Sequence, residues 1–112
     1  MSTLKPLKLL ITSEPIKFRQ ILDELIHNNR KDCGTLNTFL EARATDKMSE
    51  LAHRITGAAR VVKAELLVEC CQRLEVVCLD PQATFGQLEE AVREIEAAIY
   101  KLEQALLSLH KF

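Results

Sequence analysis

Residues 47–75 read K-M-S-E-L-A-H-R-I-T-G-A-A-R-V-V-K-A-E-L-L-V-E-C-C-Q-R-L-E, and the spacing of apolar positions along them decides the fold. Met48, Leu51, Ile55, Ala58 and Val62 recur at steps of three and four, with Ala52 and Ala59 flanking. That is the period of an amphipathic helix. At roughly 100° per residue, His53 falls about 200° round from Leu51, on the polar side. The spacing therefore predicts a surface histidine. Its neighbours one turn away are Ser49, Glu50, Thr56 and Gly57. A glycine inside a helix costs about 1 kcal/mol relative to alanine. Four residues after an exposed histidine, Gly57 removes the side chain that would crowd the ring, which suits a histidine that a bulky group must reach.

Working outward, Lys63 and Ala64 form a very short link to a second helix, predicted over residues 64–78. Leu67, Cys70, Cys71, Leu74 and Val77 lie on one side of it. So short a link makes the two helices antiparallel neighbours. Counting from the turn places His53 level with Leu74 or Glu75. Leu74 continues the core stripe, and Glu75 beside it is positioned to face the histidine.

Upstream, residues 1–12 are a lead-in that fits an interdomain linker packing its leucines on the bundle, or an added leader. Ser13 is an N-cap candidate, with Glu14 and Pro15 in the first turn. A helix over residues 14–28 then turns Phe18, Ile21, Leu22 and Leu25 inward. Asn29 is read as the cap of a separate helix over residues 30–44, with Leu36, Phe39 and Leu40 as its apolar side. Gly34 weakens that helix. Asp46 is read as the N-cap of the helix over residues 47–62. Downstream, Asp80-Pro81 ends the second helix of the hairpin, and Thr84 with Gln87 makes a capping box. Leu88, Val92, Ile95, Ile99, Leu102, Leu106 and Leu109 then form a heptad seam. Its ordinary role is a long core helix; the alternative is a coiled-coil dimer arm. The expectation is an all-α fold, an antiparallel four-helix bundle over residues 13–112 with an additional N-terminal helix as a lid.

Composition narrows the functions. The chain has 112 residues, 47% hydrophobic and 28% charged, which is globular rather than disordered and enough for one domain. A formal charge of −1 gives no electrostatic reason to expect nucleic acid or an acidic membrane surface. No apolar run approaches the roughly 20 residues of a membrane span, and no signal peptide is visible. Cys33, Cys70, Cys71 and Cys78 form no C-x-x-C pair. They read as reduced cysteines filling a cytoplasmic core, without metal-ligand spacing.

His53, Gly57, Ala58, Ala59, Ala64, Leu67, Cys71, Leu74 and Glu75 fall where histidine phosphotransfer (HPt) domains carry H-x-x-K-G-[SA]-[SA] and then G-A-x-x-L-x-x-x-C-x-x-L-E. The run A-H-R-I-T-G-A-A-R-V-V resembles the C-terminal HPt domains of bacterial hybrid sensor histidine kinases. The match covers about a quarter of the chain, and it is fairly specific because a histidine-glycine pair and a downstream helix must agree together. Two positions depart from it. Thr56 stands where the family usually has lysine, and Lys63 where it usually has glycine. The second departure suggests a link that does not need a positive φ.

The resemblance implies a phosphorelay intermediate. His53 would accept a phosphoryl group from a receiver-domain aspartate and pass it to the aspartate of another response regulator. Neutral imidazole is available near neutral pH as the nucleophile. The resemblance also gives Glu75 an orienting part: it would fix the tautomer at Nδ1 and leave Nε2 outward. A lysine at position 56 would help hold the phosphoryl oxygens; Thr56 keeps a hydroxyl donor on that side, and Arg60, two turns from His53, offers a charge in compensation. The partners implied are receiver domains, with no nucleic acid, no membrane contact by this domain and a monomeric state. No cofactor is expected in this chain, Mg²⁺ belonging to the partner's acidic site, and no autonomous catalysis is expected. The chain fits the cytoplasmic part of a kinase. His27 and His110 have no such company and are read as surface residues. Two rival readings remain: an HPt-like module that docks a receiver without carrying phosphate, and a coiled-coil assembly module built on the last helix.

Overall fold

The computed structural model describes residues 14–110, except for the side chain of His110. The lead-in over residues 1–12, the expected cap Ser13 and the surface reading of the His110 side chain lie outside the described residues. Among the described residues four helices follow one another: α1 Pro15–Glu41, α2 Thr45–Val61, α3 Glu65–Leu79 and α4 Phe85–His110. Each packs on two neighbours in a closed circuit, α1 on α2, α2 on α3, α3 on α4 and α4 on α1. This is an all-α bundle with antiparallel sequential neighbours.

Residues 14–28 do not form a separate lid helix. The two helices expected on either side of Asn29 are one helix, α1, of 27 residues. Asn29 is 8% exposed, and its Nδ2 donates to Glu103 Oε2 of α4 at 3.3 Å. A buried amide that finds a partner on the facing helix has no need to cap a terminus. Gly34 weakens α1 without stopping it, as an isolated helical glycine does. The helix begins at Pro15, whose fixed φ and missing N–H suit the first position. The expected cap at Asp46 is also displaced. The N-cap of α2 is Ala44, with no side-chain cap bond, and Asp46 sits in the first turn, where its charge complements the helix dipole. The capping box of α4 is as expected: the Thr84 amide donates to Gln87 Oε1 at 2.8 Å and the Gln87 amide to Thr84 Oγ1 at 3.1 Å.

Both tight turns are built alike. In the α2–α3 turn the Ala64 amide donates to the Ala59 carbonyl at 2.8 Å and the Lys63 amide to the Arg60 carbonyl at 3.1 Å. The α1–α2 turn repeats this with Ala44 to Phe39 and Arg43 to Leu40. This paired arrangement requires a left-handed residue, which glycine fills most cheaply. Here Arg43 and Lys63 fill it, at φ 53° and 57°. The expectation that Lys63 marks a link without positive φ is therefore overturned: the turn keeps the geometry and a non-glycine residue bears its cost.

The core is the set of inward stripes. Leu36, Met48, Leu74, Val92 and Ile95 are fully buried, with Phe18, Leu22, Leu40 and Leu106 nearly so. The seam of α4 from Leu88 to Leu106 is spent inside the bundle, so it does not need a second copy to cover it. Ile21 is 40% exposed, against expectation. On α2 the next buried apolar position after Ile55 is Ala59, four residues on, while Ala58 faces out. The four cysteines are free; Cys70 and Cys71 are buried, Cys33 and Cys78 half-buried. Among the described residues no helix is long and apolar enough to cross a membrane.

Candidate functional site

The site follows from the α2–α3 hairpin. Its three-residue turn fixes the register between the helices, and that register sets His53 against Glu75. The His53 side chain is 77% exposed, and its Nδ1 lies 3.6 Å from Glu75 Oε1. That distance is an ion-pair approach rather than a direct hydrogen bond. It still turns the Nδ1 edge of the ring toward a carboxylate and the Nε2 edge away from it. Glu75 itself is only partly exposed, because the neighbouring Leu74 is fully buried and holds that stretch of α3 against the core.

Gly57 is exposed. A Cβ built on it would meet nothing within 4 Å, so the surface one turn beyond His53 is bare. Arg60 is exposed too. It borders an open hollow of about 380 Å³ shared with Lys63, Glu65, Val68 and Glu69. Arg54, next to His53 in the chain, turns toward α1, its Nη2 lying 3.3 Å from Asp32 Oδ1. It lines a separate cleft of about 360 Å³ with Asn29, Asp32 and Ile55, and His53 does not line this cleft.

Thr56 corrects the sequence reading. It is 2% exposed, and its hydroxyl donates to the Ala52 carbonyl at 2.9 Å. It lies on the inner side of α2, against Cys71 of α3. Three residues is 300° of turn, which leaves His53 and Thr56 about 60° apart, and the boundary between surface and core runs between them. The hydroxyl is therefore unavailable to a group on His53. Burial, the largest influence on it, pushes the Cys71 thiol up to about 12, with the Thr56 hydroxyl acting against the rise. Burial likewise raises Cys33 and Cys78 to about 11. These thiols stay protonated and inert near neutral pH.

Sequence reasoning passed over one residue of the same helix face. Leu79, four residues after Glu75, is 79% exposed; Val76, 68% exposed, lies instead beside the groove between α3 and α4. The signal was available: Leu79 falls off the inward stripe that Leu67, Cys71 and Leu74 define, and a leucine off the stripe is an apolar patch in the open. His27 is exposed, as expected. Among the described residues no group of three metal-ligating side chains could hold a metal ion.

This arrangement presents one nucleophilic side chain on a helix face. A carboxylate lies behind it, open surface lies ahead of it, and the described residues carry no catalytic cluster around it. Comparisons agree with the reading of the sequence. The chain is 33% identical over 88 residues to the virulence sensor protein BvgS of Bordetella bronchiseptica, an alignment covering 79% of this chain and 7% of that protein. The BvgS proteins of Bordetella parapertussis and Bordetella pertussis are each 32% identical over the same length and shares. The chain thus corresponds to a small part of these much longer relatives. No solved structure matches it. The family model for the Hpt domain matches residues 20–110, so the exposed histidine and its helical hairpin stand in a chain that belongs to the Hpt domain family.

Proposed function

We propose that His53 is the phosphoryl carrier of this phosphorelay module. It takes the group from a receiver-domain aspartate and hands it to the aspartate of another response regulator. The observation that carries this is the exposed ring with Nδ1 held 3.6 Å from Glu75 and its other edge free. In the forward step the Nε2 lone pair forms a bond to phosphorus, the P–O bond of the aspartyl phosphate breaks, and the aspartate leaves as a carboxylate. The ring proton stays on Nδ1, where the Glu75 carboxylate stabilises the resulting positive charge. The reverse step uses the same atoms. A divalent cation of the Mg²⁺ kind and the charge-stabilising groups belong to the receiver's acidic pocket.

The exposed Leu79, one turn beyond Glu75, gives the receiver apolar area near the histidine, and Gly57 gives it clearance. The chain's place as a module of a longer sensor protein, in the manner of BvgS, is part of the same proposal. One observation favours a module that docks without transfer: Thr56 stands where a lysine would, and it is buried. A single experiment separates the two. A phosphorylated receiver domain is mixed with the chain, and acid-labile, base-stable label is followed onto it. The parent should be labelled, and His53→Gln should fold normally and take none. Labelling of His53→Gln equal to the parent would sink the assignment, and receiver binding without any label would favour the docking module.

A further inference from the structure

We infer that Arg60, by reaching back across the bare surface of Gly57 once His53 is phosphorylated, supplies the positive charge that holds the phosphoryl group there. The inference rests on the phosphotransfer reading and concerns which residue steadies the modified ring.

A phosphorylated histidine adds an anionic group with three acceptor oxygens to the face of α2, and a cation within reach strengthens its hydrogen bonds. The structure removes the other candidates on this surface one by one. Thr56, in the place of the family's lysine, is buried with its hydroxyl given to Ala52. Arg54 is drawn aside to Asp32. Lys47 lies over the Phe39 ring, 5.7 Å from its centroid, before the first turn leading to His53. Arg73 is held by Glu94 at 3.0 Å. Lys63 stands beyond the end of α2, in the turn. Arg60 remains: it is exposed, and no carboxylate among the described residues lies within ion-pair distance of it.

Its position suits the task. Seven residues bring it round to within about 20° of His53, roughly 10 Å further along the axis. Side chains on a helix lean toward its N-terminus, so a guanidinium arm at position 60 can swing from the hollow it borders back toward the histidine. Gly57 occupies the lane between them, where a Cβ would meet nothing within 4 Å. The arm therefore has an unobstructed floor. Glu65 and Glu69 border the hollow on the other side of Arg60, and Glu50 and Glu75 stand near His53. The phosphoryl group must compete with these carboxylates for the guanidinium, and it carries more charge than any one of the four.

The test uses the full chain and a small donor, potassium phosphoramidate, so that no receiver surface enters the measurement. The imidazole lone pair forms the N–P bond, the donor's P–N bond breaks, ammonia departs and the ring keeps its proton on Nδ1. The lifetime of the phosphohistidine is followed at low and high salt. Arg60→Gln should shorten that lifetime several-fold at low salt, Arg60→Lys should keep most of it, and the difference should shrink near 1 M salt, where the screening length is about 3 Å. In a Gly57→Leu background, Arg60→Gln should have little further effect, because the leucine already bars the arm. Equal lifetimes for the parent and Arg60→Gln at low salt would overturn the inference alone. A parent that takes no phosphate from the donor, or that takes it equally well as His53→Gln, would overturn the phosphotransfer reading and this inference with it.

Discussion

Leu74 and Glu75 are neighbours in the chain, as are Thr56 and Gly57, yet each pair is divided between two faces of one hairpin. On the inner face Leu74 and Thr56 are closed off from water; on the outer face Gly57 is open and Glu75 partly so, beside an exposed His53. The inner face is chosen by volume and by the need to satisfy every polar group. Thr56 is tolerated there because its hydroxyl bonds back to Ala52. The outer face contributes little to stability and is free to hold a nucleophile, a carboxylate and a gap. The boundary between them is one residue wide, so a change of residue type has opposite meanings on its two sides.

The strongest way to sharpen that contrast is Leu74→Ala. Removing a fully buried leucine level with His53 should cost about 2–5 kcal/mol, read as a fall in the urea midpoint. The folded fraction should still take phosphate at His53. Loss of uptake by molecules shown to be folded would mean that the two faces are not separable.

Thr56→Lys comes next. A lysine at an exposed position would raise phosphohistidine lifetime. At this buried position it must bury its charge or displace α3 to reach water, and about 2 kcal/mol of stability should be lost. A variant that is fully stable and longer-lived as the phosphohistidine would show that residue 56 belongs to the outer face after all.

Alkali should open the inner face selectively. Cys71 titrates near 12 in the fold, and Cys33 and Cys78 near 11, against an ordinary value of 9.0. Their folded values are raised, so between about pH 9 and 12 the native chain binds more protons than the unfolded one. By linkage, stability is full below pH 9 and falls as pH rises through that window. A thermal melt series from pH 8 to 11 checks this, and replacing Cys71 by alanine should flatten the slope even as it lowers the melt. An unchanged slope would place the thiols outside the transition.

The smallest effect is expected at Gly57→Ala. Nothing lies within 4 Å of the added methyl, so helix propensity alone acts and the chain should gain up to about 1 kcal/mol. Phosphate uptake should change little, because a methyl group leaves His53 accessible. A destabilised variant would reveal a packing role that the open surface does not suggest.

Much of the fold was legible because helices announce themselves locally. The inward stripes of α2, α3 and α4 follow from a 3.6-residue period, and the Thr84–Gln87 box from residues three apart. The boundaries that failed were those where a residue has both a local and a tertiary use. Asn29 is a good cap in isolation, but Glu103, 74 residues away, claims it within the continuous α1. Lys63 is a poor left-handed residue in isolation, but the hairpin imposes φ 57° on it. Local propensities are worth about a kilocalorie, and tertiary packing overrides them.

The sequence by itself determined that His53 lies on a polar face, that Gly57 clears the turn beside it, and that the chain resembles a phosphotransfer bundle. The first two come from periodicity and spacing and the third from a motif resemblance; all are read along the chain in order, so these needed no coordinates. Only the tertiary structure decided that Thr56 is inside, that Glu75 comes to 3.6 Å from Nδ1, that Arg54 is spent on Asp32 and that Arg60 has no ion-pair partner among the described residues. These depend on which helix faces which and in what register, and that is set by packing four stripes together at once, which no single helix encodes.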